Sequence, residues 1–238
     1  MGLGTLYGIG VGPGDPEWIT VQGARILSEC RQVFVPRAGV AAESVALDIA
    51  RRYLRPDARV GELTFPMSSD DSVLRASWEA AAREVLDCLA TGEDCCFLTL
   101  GDAMLYSTYV FLVEALRSLR PETPIVTVPG VTAFSAAAAL TNTPLGRKKR
   151  LLTVVPAADD LAPLAAALDG GGTVVLMKLG RRLPAVLELL TARGLLGRAV
   201  FVSRAGMPEQ RIETDLRRLA GEPAEAGYLS LLIIQATG

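Results

Sequence analysis

Short apolar runs alternate with longer amphipathic or alanine-rich stretches along the whole chain, a pattern that predicts an α/β protein. In the first half, strands are expected at 5–11, 33–35, 61–65 and 95–100. Asp15 followed by Pro16 reads as an N-cap with proline at the first helical position, opening a helix that runs to residue 29. Further helices are expected at 44–53, at the alanine-rich 77–90 and at 110–119. The segment Arg120-Pro121-Glu122-Thr123-Pro124 carries two prolines and is the best boundary candidate. It divides the chain into an N-terminal α/β domain, 1–120, and a C-terminal α/β domain, 121–238. Past it, strands are expected at 125–128, 152–155, 173–178, 199–202 and 228–234, with a small-residue helix at 133–140 and a clear helix at 183–193. The alanine-rich stretch 165–172 reads as a short helix end and turn, and no internal repeat is present.

Composition narrows the chemistry. Half of the 238 residues are hydrophobic, enough for a substantial core. Lys plus Arg (24) nearly balances Asp plus Glu (26), which argues against nucleic acid as a partner. No histidine is present, so imidazole acid–base chemistry, Ser-His-Asp triads and histidine metal sites are excluded. Cys30, Cys88, Cys95 and Cys96 lack the C-x-x-C spacing of a zinc or redox motif and are expected as free thiols in a reducing cytoplasm. The N-terminus lacks the charged region of a signal peptide, and no apolar run reaches membrane-spanning length. A soluble, cytoplasmic protein with no membrane partner and no bound metal is expected.

The glycine-rich opening Gly8-Ile9-Gly10-Val11-Gly12-Pro13-Gly14-Asp15 looks like a dinucleotide-binding turn and fails the test for one. In the G-x-G-x-x-G spacing the last position falls on Pro13, Asp15 or Glu17, depending on the register. The second apolar run ends in Pro36-Arg37 and offers no carboxylate for a ribose. A nucleotide-dependent oxidoreductase is therefore disfavoured. Four turns follow predicted strands, at 10–16, 101–108, 129–133 and 203–206, where open α/β sheets bind ligands. Each alone is ordinary turn chemistry, in which glycine gives tight geometry and Asp after Gly is common.

Taken together, the turns carry a family resemblance. Leu6-Tyr7-Gly8-x-Gly10-x-Gly12-Pro13-Gly14-Asp15-Pro16-Glu17, Leu98-Thr99-Leu100-Gly101-Asp102 with Tyr106-Ser107-Thr108, and Val128-Pro129-Gly130-Val131-Thr132 resemble the tetrapyrrole methylases from about residue 3 to residue 235. The resemblance implies two α/β domains with the active site in the cleft between them, and a homodimer. It also implies S-adenosylmethionine as methyl donor and a tetrapyrrole as small-molecule substrate. In the combination of Thr5-Leu6-Tyr7-Gly8, Leu105-Tyr106-Ser107-Thr108, Phe134-Ser135-Ala136-Ala137-Ala138 and Met177-Lys178 the chain most resembles the branch of the family that acts at carbon 20 of precorrin-2 in cobalamin biosynthesis, and the resemblance implies that substrate. Cobalt-factor II or another ring position are the alternatives. By the same resemblance the donor is held at Pro13, Leu100, Gly101, Asp102, Leu105, Thr132, Ala133, Met177 and Ala205, and the tetrapyrrole at Gly10, Gly12, Arg37 and Tyr106. Small residues there would let main chain approach a folded donor, and the charge of Asp102 would favour a sulfonium.

Two departures and several ordinary readings stand beside these assignments. Ala103 occupies a position where the family usually has proline, and Pro36 lies where relatives acting at other ring positions carry an acid, so no catalytic carboxylate carries over. Tyr106, Tyr7 or a solvent path are the candidates for accepting the proton lost after transfer. Asp102 on its own reads as a turn residue, Met177 as core, and Ser107 and Thr108 as caps of the next helix. The run Arg147-Lys148-Lys149-Arg150 reads as a solvated basic loop or as a carboxylate-binding patch. A non-catalytic tetrapyrrole carrier is opposed by the intact Gly101-Asp102 and Thr132-Ala133 loops.

Overall fold

The structure, a computed structural model, describes residues 2–37, 44–66, 68, 70–156 and 160–236. The chain divides into two compact units between Thr132 and Ala133. The proline-bearing segment 120–124 is therefore a turn inside the first unit rather than a boundary. The strand that follows it is claimed by the first sheet, because Ile125–Val128 pairs with Leu6–Gly10.

In the first unit β1 (Leu6–Gly10), β2 (Gln32–Arg37), β3 (Arg59–Thr64), β4 (Cys95–Thr99) and β5 (Ile125–Val128) form one sheet in the order β3-β2-β4-β1-β5. Every pairing is parallel. Parallel strands need helical crossovers, which cover both faces, so the central strands read as continuous apolar runs rather than alternating ones. β4 is buried along its whole length. α1 (Val21–Glu29) and α2 (Val45–Ala50) pack on one face through Ile26, Leu27 and Ile49. α3 (Asp71–Ala90) and α4 (Thr108–Leu119) pack on the other through Val85, Leu89, Leu112 and Leu116. Adjacent Cys95 and Cys96 face opposite cores, as a strand's alternation requires, and all four cysteines are free thiols. Each fully buried Leu or Phe contributes about 1.5–3 kcal/mol.

Helix α1 follows β1 onto one face, whereas α4 follows β4 onto the other. Neighbouring strands whose connections part in this way leave a crevice beyond their carboxyl ends. That crevice lies at Gly10–Gly12 and Gly101–Asp102, between β1 and β4.

Local chemistry reset two helix starts. The expected helix from Pro16 breaks into a 3-10 turn, Pro16–Trp18, capped by Asp15 on the Glu17 N–H at 2.8 Å. Ile19 is extended, and Thr20 then caps α1 by accepting from the Gly23 N–H at 3.1 Å, so a second N-cap residue outcompetes helix continuation. α3 starts earlier than the alanine-rich run because Asp70 accepts from the Ser72 N–H at 2.8 Å.

The second unit contains β6 (Leu152–Pro156), β7 (Thr173–Met177), β8 (Ala199–Ser203), β9 (Arg211–Glu213) and β10 (Ser230–Gln235) in the order β6-β7-β10-β8-β9. β6 and β7 are parallel, while β10 runs antiparallel to both β7 and β8. α5 (Ala133–Thr141) packs on one face of this mixed sheet; α6 (Ala162–Asp169) and α7 (Leu183–Ala192) pack on the other. The three-residue edge strand β9 was not anticipated, being too short to show a period. No helix among the described residues is long and apolar enough to cross a membrane.

One glycine in β1 exists for packing alone. A β-carbon on Gly8 would overlap the ring and hydroxyl of Tyr109, which is fully buried and bonded through its hydroxyl to Thr127 Oγ1 at 3.0 Å. Gly8→Ala is expected to destabilise the first unit by about 1–3 kcal/mol, the usual cost of overpacking. A lowered urea midpoint checks this, and an unchanged midpoint would show that Tyr109 can shift.

Candidate active site

Beyond the carboxyl ends of β1, β4 and β5 the chain meets itself with almost no side chains in between. A β-carbon on Gly10 would lie 2.7 Å from the Gly101 carbonyl oxygen and 2.8 Å from Gly130 Cα. One on Gly130 would overlap that same carbonyl and come within 2.7 Å of the Gly10 carbonyl. Gly10 and Gly130 are therefore glycines because three backbones converge. Gly12 and Gly101 are glycines for a different reason, since both have positive φ (80° and 74°). They form a two-bond bridge: the Gly12 N–H donates to the Gly101 carbonyl at 3.1 Å, and the Gly101 N–H to the Gly12 carbonyl at 2.8 Å. This bridge spans the crevice that would receive a pyrophosphate in a dinucleotide-binding sheet, which accounts for the failed fingerprint.

Asp102 fastens the third strand end. One carboxylate oxygen accepts from the Met104 N–H at 2.9 Å, closing its own turn, and the other accepts from the Gly130 N–H at 2.9 Å. The turn reading and the site reading of Asp102 thus describe one geometry, in which a turn carboxylate reaches across to the Pro129–Gly130 loop. Ala103 is fully buried, and its carbonyl accepts from the Ser107 hydroxyl at 2.5 Å. The same hydroxyl oxygen accepts from the Tyr109 N–H at 3.2 Å, so Ser107 is the cap of α4. These bonds hold the loop that a proline at position 103 would otherwise stiffen.

Gly101 differs from its neighbours in one respect: a β-carbon there would meet nothing within 4 Å. Its N–H is committed to Gly12, so what it offers a ligand is room at a bare backbone rather than that donor. Pro13 is buried beside the bridge, while Leu100, Asp102, Leu105 and Thr132 are partly accessible. Tyr106, 42% exposed, is held at φ 52° in the same loop, a left-handed conformation that costs a non-glycine residue about 1–2 kcal/mol.

Arg37 closes β2 at the same end of the sheet and is paired with Glu62 at 3.1 Å. Tyr7 is not brought to these loops. It lies opposite Cys96 and Val126, towards the amino ends of the strands. Burial, with Asp94 adding to it, pushes its phenol above the usual range, so the group stays protonated near neutrality.

In the second unit, Ala133, Met177 and Ala205 belong to one apolar cluster under α5 with Val175, Val202, Leu231 and Ile233. Met177 ends β7, Ala205 follows β8, and Ala133 opens α5. Residues 147–150 are exposed in a turn before β6. Sequence reasoning missed the Asp102–Gly130 bond, since nothing in either motif says that the two meet. It also missed a row of left-handed residues, Lys178, Arg204 and Leu229, at one end of the second sheet. The described residues contain no cluster of three or more Cys, Asp or Glu side chains suited to a metal ion.

This side-chain-free junction, beside an open backbone position, lies beyond the carboxyl ends of the strands, where open α/β sheets bind ligands. The chain belongs to the tetrapyrrole (corrin/porphyrin) methylases, whose family profile matches residues 5–220. It is similar to cobalt-precorrin-2 C(20)-methyltransferase of Salmonella typhimurium, 37% identical over 97% of this chain and 96% of that one. It is also similar to precorrin-2 C(20)-methyltransferase of a Sinorhizobium species, 31% identical over 98% and 96%. Among solved structures, a cobalt precorrin-4 methyltransferase shares the fold with a TM-score of 0.75 and 22% identity, over 98% of this chain and 96% of that one. Uroporphyrin-III C-methyl transferase from Thermus thermophilus, complexed with S-adenyl homocysteine, does so at 0.63 and 24%, over 97% and 92%.

The Asp102 clamp predicts a local effect. In Asp102→Ala the Gly130 and Met104 amides lose their acceptor, and their hydrogen exchange should accelerate while global stability falls by only about 1–2 kcal/mol. Unchanged exchange at Gly130 would show that the bond does not hold the loop.

Proposed function

We propose that this enzyme transfers a methyl group from S-adenosylmethionine to carbon 20 of precorrin-2, metal-free or cobalt-bearing, in cobalamin biosynthesis. The observation that carries the reading is full-length similarity to C(20)-methyltransferases acting on both forms of that substrate. The local chemistry fits the donor. Gly101 presents bare backbone beside open space, and Asp102 places a negative charge in the same loop, where it favours a sulfonium cation. The donor assignments at Pro13, Leu100, Leu105 and Thr132 share that loop region. Ala133, Met177 and Ala205 supply an apolar surface from one cluster, suited to an adenine.

The sulfonium supplies an electrophilic methyl and a good leaving group, so the chain's task is alignment rather than strong acid–base catalysis. A histidine-free protein suits that task. The Gly12–Gly101 bridge and the Asp102–Gly130 bond hold the loops in place before the ligand arrives, which lowers the ordering cost of binding. The proton released at carbon 20 passes to solvent, directly or relayed through the Tyr106 hydroxyl, which accepts it while handing its own to water; Tyr7 sits at the other end of its strand. Arg37, at the carboxyl end of β2, is a candidate for a substrate carboxylate, which would have to compete with Glu62. The resemblance carries the expectation of a homodimer, and four free thiols suit the cytoplasm.

The test is anaerobic incubation of precorrin-2, and separately its cobalt form, with enzyme and S-adenosylmethionine, followed by mass spectrometry and NMR. One methyl gained at carbon 20 is the expected product. A methyl at another position would retain the family and overturn the substrate position. In a separate binding titration Asp102→Ala should hold S-adenosylmethionine about tenfold or more weakly, through loss of the charge that favours the sulfonium, with folding retained. Equal binding would remove Asp102 from the donor site.

A further inference from the structure

The second sheet ends in a row of three non-glycine residues held in the left-handed region. Lys178 follows β7 at φ 58°, Arg204 follows β8 at φ 50°, and Leu229 precedes β10 at φ 49°. They are neighbours, because Met177 pairs with Leu231, and Ser203 with Ser230. The Arg204 N–H donates to the Leu229 carbonyl at 2.9 Å, tying two of them together. Each such residue costs of order 1 kcal/mol or more that glycine would not incur. Elsewhere among the described residues of this unit most positions in that conformation are glycines, at 171, 172, 180, 194, 206 and 221, and the two other non-glycine cases, Asn142 and Lys148, lie in turns outside the sheet.

At Arg204 the side chain explains the exception. Its guanidinium carbon lies 5.7 Å from the centroid of the Tyr228 ring, whose residue is 58% exposed. Among the described residues no carboxylate pairs with it, whereas Arg193, Arg211 and Arg217 in the same unit are each paired with an acid. A guanidinium resting on an aromatic face keeps its fork of N–H donors in a set plane. That fork matches a carboxylate in bidentate fashion. Arg204 also stands directly before Ala205, and Lys178 directly after Met177, so both cations adjoin the residues assigned to the donor.

We infer that Arg204, held over Tyr228, is a substrate-recognition residue that binds a carboxylate of the tetrapyrrole; this rests on the proposed reading of the substrate. The left-handed backbone at 204 is retained because only a residue with a side chain can supply the cation there. The inference predicts an unusual split between stability and binding. Arg204→Gly removes the backbone penalty together with the guanidinium, so its melting temperature should match or exceed that of the wild type while its affinity for the tetrapyrrole falls.

The probe is a stable octacarboxylic porphyrin, titrated by absorbance against the full-length wild type, Arg204→Gly and Arg204→Gln, with S-adenosylhomocysteine affinity measured in parallel. The glutamine variant keeps the long stem and the backbone conformation, and so separates loss of charge from any folding effect of glycine. Both variants should bind the porphyrin about tenfold or more weakly, the loss of one charged hydrogen-bonding partner, and bind S-adenosylhomocysteine as the wild type does. Equal porphyrin affinity, no porphyrin binding by the wild type, or a parallel loss of S-adenosylhomocysteine affinity would each overturn the assignment. If the wild type methylates no precorrin-2, the proposed function fails on its own account, and the titration still decides the role of Arg204.

Discussion

Three strand ends can converge in the first unit only because nothing projects from them. Gly10, Gly101 and Gly130 bring β1, β4 and β5 to backbone contact, and any side chain at Gly10 or Gly130 would push the strand ends apart. Much of the candidate site follows from this approach. It lets Gly12 and Gly101 exchange two hydrogen bonds, and it brings the Gly130 N–H within reach of Asp102. It also leaves Gly101 as the position where bare backbone faces open space. A larger residue at Gly10 or Gly130 would be a packing fault, whereas one at Gly101 would project into open space and strain a positive φ.

The same junction explains how a doubly wound sheet with a glycine-rich first turn avoids being a nucleotide-binding one. In the dinucleotide folds the crevice between diverging strands is kept open and a helix N-terminus faces the phosphates. Here Gly12 and Gly101 bridge that crevice, the turn continues through Pro13, and the first helical piece is a short 3-10 turn. The loops are held to one another before any ligand arrives. Such a site can contribute mainly through placement, which suits a reaction whose leaving group needs little help.

Legibility from sequence followed the range of the interactions. Most strands were readable as dense apolar runs, the three-residue β9 excepted, and β5 was readable to the residue at 125–128. Its membership in the first sheet was not, because the prolines at 121 and 124 are a local signal and strand pairing is not. Helix starts failed where two capping residues competed, Asp15 against Thr20, or where a cap preceded the apolar run, as at Asp70. At the site, motif residues were visible one by one, and the reason for each glycine was not. Gly8 serves Tyr109, Gly10 and Gly130 serve backbone convergence, Gly12 serves a left-handed turn, and Gly101 serves open space. The contacts of Gly8 with Tyr109 and of Gly10 with Gly101 and Gly130 span separations that no local pattern encodes.

The two units use backbone strain differently, and the difference bears on where selectivity resides. In the first unit the left-handed positions of the bridge are glycines, so its geometry comes at little strain, with Tyr106 in the neighbouring loop as the exception. In the second unit, Lys178, Arg204 and Leu229 form a contiguous strained row beside Met177 and Ala205. Strain that glycine could remove persists where the side chain contributes more than the conformation costs. A common donor can be served by backbone and small residues, which say little about the second substrate. Distinguishing one polycarboxylate ring from another needs side chains with charge and shape. In this chain the strained, cation-bearing row has the charge and the fixed geometry such recognition requires, which is the ground for the role proposed for Arg204.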